Sequence, residues 1–311
     1  MSTRHTSQPA AQPATESAAQ RAARPRRVVL YYQSHFGDDD EPISPLPLIE
    51  YGTGLTCLIL AANHLHADGP VTVNDTKADD PQLDWMWRDL RTLQDHRVLV
   101  LGMTGGAAVG SYALLEQDFD THYPKLRDFL TERGLDGIDL DLEEPMALPA
   151  MQKLITALRA DFGDDFVITM APVSFELGGG PGIAKFDYRT LCADLGDQIA
   201  WFNAQFYNNW GDLADVRWYD AILEAGIVTP DKLVAGTLTH PDNGPAGHVP
   251  IDQLTTNLQT LTTKHPDFGG VMGWEYYNSL PGDTTAPWQW AQRVSNAITT
   301  APSATQPASG T

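Results

Sequence analysis

Short apolar runs of strand length alternate along the chain with longer stretches in which apolar residues recur three and four positions apart. The runs fall at 28–33 (VVLYYQ), 55–61 (LTCLILA), 98–103 (VLVLGM), 137–142 (GIDLDL), 166–171 (FVITMA), 201–206 (WFNAQF), 233–237 (LVAGT) and 270–274 (GVMGW). Their starts lie 27 to 43 residues apart, room for one helix and two loops. Helical spacing is visible over 83–94, 122–133, 148–162, 218–225 and 251–265. Strand then helix, eight times over, predicts an α/β fold of one kind, a single (β/α)8 TIM barrel. A doubly wound open sheet is the alternative, but no GxGxxG follows the first strand run to support it.

The barrel is expected over 28–299. Residues 1–27 and 300–311 are rich in Ser, Thr, Ala, Gln and Pro without apolar periodicity, which predicts disordered tails. The N-terminal stretch is Arg-rich and acid-poor. That composition suits a plain tail or a transit peptide, but the apolar segment of a secretory signal is missing, so a cytoplasmic protein is expected. The sequon Asn74-Asp75-Thr76 matters only in a secreted chain.

Composition narrows the chemistry. With 311 residues, 42% of them hydrophobic, a large core can be buried. Forty acidic residues against twenty basic ones give a net charge of −20. That balance argues against a nucleic-acid surface and against an anionic membrane. No run is long and apolar enough to span a bilayer. Two cysteines, Cys57 and Cys192, are too few for a disulfide scaffold or a four-thiolate zinc site and are expected to be buried free thiols. One bridge between them stays open at this level.

The fourth strand run carries the chemistry: Asp136-Gly137-Ile138-Asp139-Leu140-Asp141-Leu142-Glu143-Glu144. Strand side chains alternate in direction, so Asp139, Asp141 and Glu143 share one face and Ile138, Leu140 and Leu142 the other. If the apolar face packs under the helices, the acidic face points into the barrel. Such a row is hard to explain by stability, because ionising three neighbouring carboxylates in a partly dry site is costly. Some of them should hold protons, and the outermost, Glu143, is placed to give one to a glycosidic oxygen. An acidic strand end facing water is the competing reading. Carboxylates two apart on a straight strand line a wall better than they surround an ion, so no metal is expected.

The segment DGIDLDLEE resembles the DGxDxDxE signature of glycoside hydrolase family 18, the chitinases and endo-β-N-acetylglucosaminidases. Other segments agree in order. Gly102-Met103-Thr104-Gly105-Gly106 resembles the family's SxGG element without its Ser. Met170-Ala171-Pro172 resembles the end of its fifth strand, Gln205-Phe206-Tyr207-Asn208-Asn209 its sixth, and Gly269-Gly270-Val271-Met272-Gly273-Trp274 its eighth. The likeness runs from about residue 28 to 296.

This resemblance implies hydrolysis with retention and without a protein nucleophile, the 2-acetamido oxygen of the substrate attacking the anomeric carbon. It assigns Glu143 as the acid, Asp141 as the carboxylate that holds the acetamido N–H, Asp139 as its partner beneath, and Tyr207 as donor to the acetamido carbonyl. Trp274 becomes the floor under the reacting sugar. Gln205, Asn208, Met170, Gly105, Gly106 and Tyr31 become substrate-binding residues. Tyr207 and Trp274 as ordinary core aromatics remain the competing reading. A monomer acting on an oligo- or polysaccharide of N-acetylglucosamine is implied, with no cofactor. Chitin leads narrowly over the chitobiose core of N-glycans as the substrate. EEPM after the fourth strand and WEYYNSLPG after the eighth resemble small fungal enzymes of the second kind. A sugar-binding barrel without activity is disfavoured by the presence of Glu143 above Asp139 and Asp141.

The seventh and eighth strand runs are too close to admit the α+β insertion that deepens the groove in many chitinases, so a shallow cleft is expected. Trp85, Trp87 and Trp210 are candidates to line it or simply to pack. Residues 174–182 are expected to form a groove wall. His64 and His66, an isolated pair, are expected to be plain loop residues rather than metal ligands.

Overall fold

The computed structural model describes residues 16–22 and 26–299. Eight parallel strands form the barrel: β1 (Arg27–Tyr32), β2 (Cys57–His64), β3 (Leu99–Gly105), β4 (Gly137–Asp141), β5 (Val167–Met170), β6 (Trp201–Gln205), β7 (Leu233–Leu238) and β8 (Gly270–Trp274). Each pairs with its sequence neighbours, and β1 pairs with both β2 and β8, closing the cylinder. The helices that alternate with them are α1 (Pro47–Glu50), α2 (Asp84–Asp95), α3 (Phe119–Arg133), α4 (Leu148–Phe162), α5 (Tyr188–Leu195), α6 (Arg217–Ala225), α7 (Ile251–Lys264) and α8 (Trp288–Thr299), with further short helices at Ser111–Gln117 and Ser174–Leu177. A two-stranded hairpin, Thr72–Val73 with Thr76–Lys77, extends β2. The β7–α7 connection is short and holds no insertion domain.

The strand period of two divides the core into two layers. Leu58, Leu60, Ile138, Leu140, Phe202 and Val271 face outward and meet helix residues such as Leu90, Leu126 and Leu154. Val29, Ile59, Leu101, Val167, Trp201 and Met272 fill the interior. Local signals set the helix limits. Asp118 caps α3 by accepting from Thr121 N–H, and Gly134 in a left-handed conformation ends it.

The short helix Ala18–Ala22 corrects the expectation of disorder for part of residues 1–27. Arg21 Nη2 donates to Asp136 Oδ1 at 2.5 Å, with side chains only 10% and 12% exposed, and Ala18 packs against the interior cluster. Five helical residues are too few to show a periodic signal. Residues 1–15, 23–25 and 300–311, where the other tail expectations fall, lie outside the described residues. Both cysteines are free; Cys57 is buried as expected, whereas Cys192 on α5 is only partly so. Among the described residues, no helix is long and apolar enough to cross a membrane.

Candidate active site

The inward positions of β4 are acidic because the register makes them so. Asp139 pairs with Met103 and Thr169, and Leu140 with Thr104 and Met170. Leu140 therefore packs outward and Asp139 inward, where it is wholly buried. Gly137, two residues below, lies so close to β5 that an added Cβ would sit 2.1 Å from Val167 O.

Asp139 accepts three hydrogen bonds: from Tyr31 Oη at 2.7 Å, Thr169 Oγ1 at 2.5 Å and Asn203 Nδ2 at 3.0 Å. Burial still raises it above the usual carboxylate range, with the three donors pulling the other way. Asp141, one step up, is raised well above that range by burial, then by the charges of Glu143 and Asp139, against a hydrogen bond from Gln205. Gln205 Nε2 lies 3.1 Å from Asp141 Oδ1, 3.1 Å from Glu143 Oε1 and 3.0 Å from Ala171 O. One amide nitrogen thus lies between the two carboxylates and a backbone carbonyl. Strand β6 supplies these amides by its own alternation: Trp201, Asn203 and Gln205 face inward, and Trp201 Nε1 donates to Asn203 Oδ1 at 2.9 Å.

Above this ladder opens a cavity of about 310 Å³, enough for a sugar. Asp141 and Glu143 form one wall, and Tyr207, Asn208, Asn243 and Trp274 face it. Burial, then the Asp141 and Glu143 charges, raise Tyr207 well above the usual phenol range, so it keeps its proton. Trp274 ends β8 and leans on Tyr31, ring centroids 5.4 Å apart. Gly105 and Gly106 line the side near β3. Gly105 has φ +104°, and a Cβ there would meet Asp141 O at 2.1 Å, so only glycine fits. Gly106 N–H donates to Asp141 O at 2.9 Å.

Three residues expected to bind substrate are not among those that line the cavity. Met170 is fully buried among the outer-layer residues and faces the helices, because Thr169 takes the inward position beside Asp139. Tyr31 is buried beneath the cavity and holds Asp139. Gln205 also lies beneath, between the two acids. Gln33, His64 and Asn243, which the sequence reading did not single out as site residues, do line the cavity.

The end residues of the acidic motif serve structure. Asp136 accepts from Val100 N–H at 2.9 Å and from Arg21, and buried Glu144 pins the loop before residues 111–117 through Gly110 N–H and Tyr112 N–H. Trp85 and Trp87 pack edge-on against Phe36 and Phe129, and Trp210 against Phe175, away from the cavity. The 174–182 segment does not line it either. Its Glu176 is buried, raised to about 6 by burial, and accepts from Ala184 N–H at 2.8 Å.

A closed parallel barrel with a row of acids rising to the carboxyl end of one strand is the architecture of a glycosidase. No family model matches the chain. It is 42% identical to a fungal endo-β-N-acetylglucosaminidase of glycosyl hydrolase family 18, over 88% of this chain and 98% of that one, with a TM-score of 0.84. It is 44% identical to the chitinase ChiC of Aspergillus fumigatus, over 88% and 99% of the two chains, with a TM-score of 0.80. Chitinase 2 of Rhizopus oligosporus is 28% identical over 209 residues, 60% of this chain and 35% of that protein, so the match spans about a third of that relative. The chain belongs to glycoside hydrolase family 18.

Proposed function

We propose that the protein hydrolyses β-1,4 bonds on the reducing side of N-acetylglucosamine, retaining configuration through the substrate's own acetamido group. The observation that carries this is the placement of the cavity's two carboxylates. A two-carboxylate glycosidase needs acid and nucleophile on opposite sides of the sugar. Asp141 and Glu143 instead stand on one wall, tied to a single Gln205 amide. The nucleophile then comes from the substrate.

In the first step the acetamido oxygen bonds to C1 as the C1–O bond to the leaving group breaks. Glu143 gives its proton to the departing oxygen. Positive charge develops on the oxazolinium ring, and Asp141 faces its N–H, with Asp139 beneath sharing a proton. Tyr207 Oη donates to the acetamido oxygen and aligns it. Anchoring the group in this way makes attack intramolecular, an effect worth up to about 7–11 kcal/mol when orientation is best. In the second step water adds to C1, Glu143 takes its proton, and the ring opens to the β-configured product. Trp274 offers its face to the apolar side of the pyranose.

Chitin or its oligomers are the substrate in the leading reading. The core of N-glycans is the second, favoured by the higher TM-score to the endo-β-N-acetylglucosaminidase. Incubation with chitohexaose and, separately, a high-mannose glycopeptide separates them by product masses. NMR of the first product should show the β-anomer, and an α-anomer would refute the acetamide route. Glu143→Gln should lower turnover by about 10²–10⁴, the range for a general acid, while oligosaccharide binding persists. Wild-type turnover in that variant would remove Glu143 from the role.

A further inference from the structure

The catalytic cavity does not end at its wall of β1 and β2 residues. Gln33, His64 and Ala108 line it and also line a second, open cavity of about 490 Å³ between the 33–36 loop and the hairpin after β2. These residues frame a passage.

The frame is built, not incidental. Asn74 at the hairpin tip donates from Nδ2 to Gln33 O at 2.8 Å and accepts from Ala62 N–H at 3.1 Å, tying the ends of β1 and β2 together. Its carboxamide is thereby engaged, although it is the Asn of the sequon. Buried Glu275 holds the other side, accepting from Gln33 N–H at 2.8 Å, Ser34 N–H at 2.9 Å and Ser34 Oγ at 2.6 Å. Within this frame the two polar side chains common to both cavities, the Gln33 carboxamide and the His64 imidazole, are uncommitted among the described residues. The half-buried His64 imidazole makes no protein hydrogen bond among the described residues. Burial and the neighbouring His66 hold it below the ordinary imidazole range against the pull of Asp75, so near neutral pH it offers one donor and one acceptor.

The passage lies on the side a glycone would take. Glu143 stands just past the end of β4, so the bond it protonates and the leaving group lie toward β4, and the retained sugars extend across the mouth toward β1 and β2. We infer that His64 is a specificity-determining residue that hydrogen-bonds a glycone sugar beyond the reacting one, where the catalytic cavity opens into the second cavity. This rests on the glycosidase reading proposed above.

The test shortens, one sugar at a time from the non-reducing end, whichever of chitohexaose or the high-mannose glycopeptide the wild type cleaves, and measures kcat/KM for wild type, His64→Ala and His64→Asn. Removing one neutral hydrogen bond should lower kcat/KM about five- to tenfold on the long substrates and distinctly less on the shortest, with Asn recovering most of the loss. Should His64→Ala fold poorly, His64→Leu keeps the bulk without the polar atoms. A loss equal at every length, or no loss, overturns the assignment of His64 and leaves the glycosidase reading intact. Failure of the wild type to cleave either parent substrate refutes that reading and this inference with it.

Discussion

Tyr31→Phe isolates one hydroxyl under the active site. The ring stays, and with it the contact to Trp274. What goes is the 2.7 Å hydrogen bond to Asp139 Oδ2, in a place without solvent to replace it. A hydrogen bond to a charged group is worth about 1.5–3 kcal/mol. At about 2–4 °C per kcal/mol for a domain of this order of size, the ionised form should melt roughly 3–12 °C lower. The direction with pH follows from burial, which already raises Asp139 above its unfolded value. For such a group, stability is fully present below the unfolded pKa and is lost as pH rises through the folded one. Tyr31 supports chiefly the ionised form. The melting difference between variant and wild type should therefore be wider at pH 7 than at pH 4. Calorimetric scans of both proteins at the two pH values measure it. An equal difference at both would make Tyr31 a packing residue and refute its service to the charge on Asp139.

Other outcomes follow from the same coordinates. Gly105→Ala places a methyl 2.1 Å from Asp141 O at a positive φ, so activity should fall sharply and stability by at least about 2 kcal/mol; urea unfolding together with kcat reads both. Arg21→Ala breaks a nearly buried pair with Asp136 at the foot of β4 and should cost about 1–3 kcal/mol by the same urea measurement, while KM stays near wild type. A thiazoline analogue of the cyclised acetamide should inhibit competitively, and indifference to it would count against attack by the substrate's own oxygen.

The acidic row was legible because a strand has a period of two, and that period alone sends Asp139, Asp141 and Glu143 one way and their leucines the other. The same rule reads Asn203 and Gln205 off WFNAQF as an inward amide ladder. It also shows why Met170 faces the helices: its neighbour Thr169 holds the inward place beside Asp139. Less was readable where no repeat exists. Strand β2 runs on to His64, beyond the apolar run that marked it, so a cavity residue looked like a loop residue. Helix α5 has only eight residues, too few for helical spacing to stand out, although Asp187 caps its start.

Among the described residues, no Lys or Arg bonds to Asp139, Asp141 or Glu143; their side-chain partners are amides and hydroxyls. The distinction has mechanistic weight. A cation would fix the row in its ionised state. Neutral donors leave the charge to be settled by protons, and burial with like charges then makes a shared proton the favoured solution. In the mechanism proposed above, such a row changes its proton count as charge appears on the sugar, gaining attraction for the developing cation when Glu143 gives up its proton. The acid chemistry of the site and its lack of ion pairs are thus one property of β4, fixed by which residues β6 turns toward it.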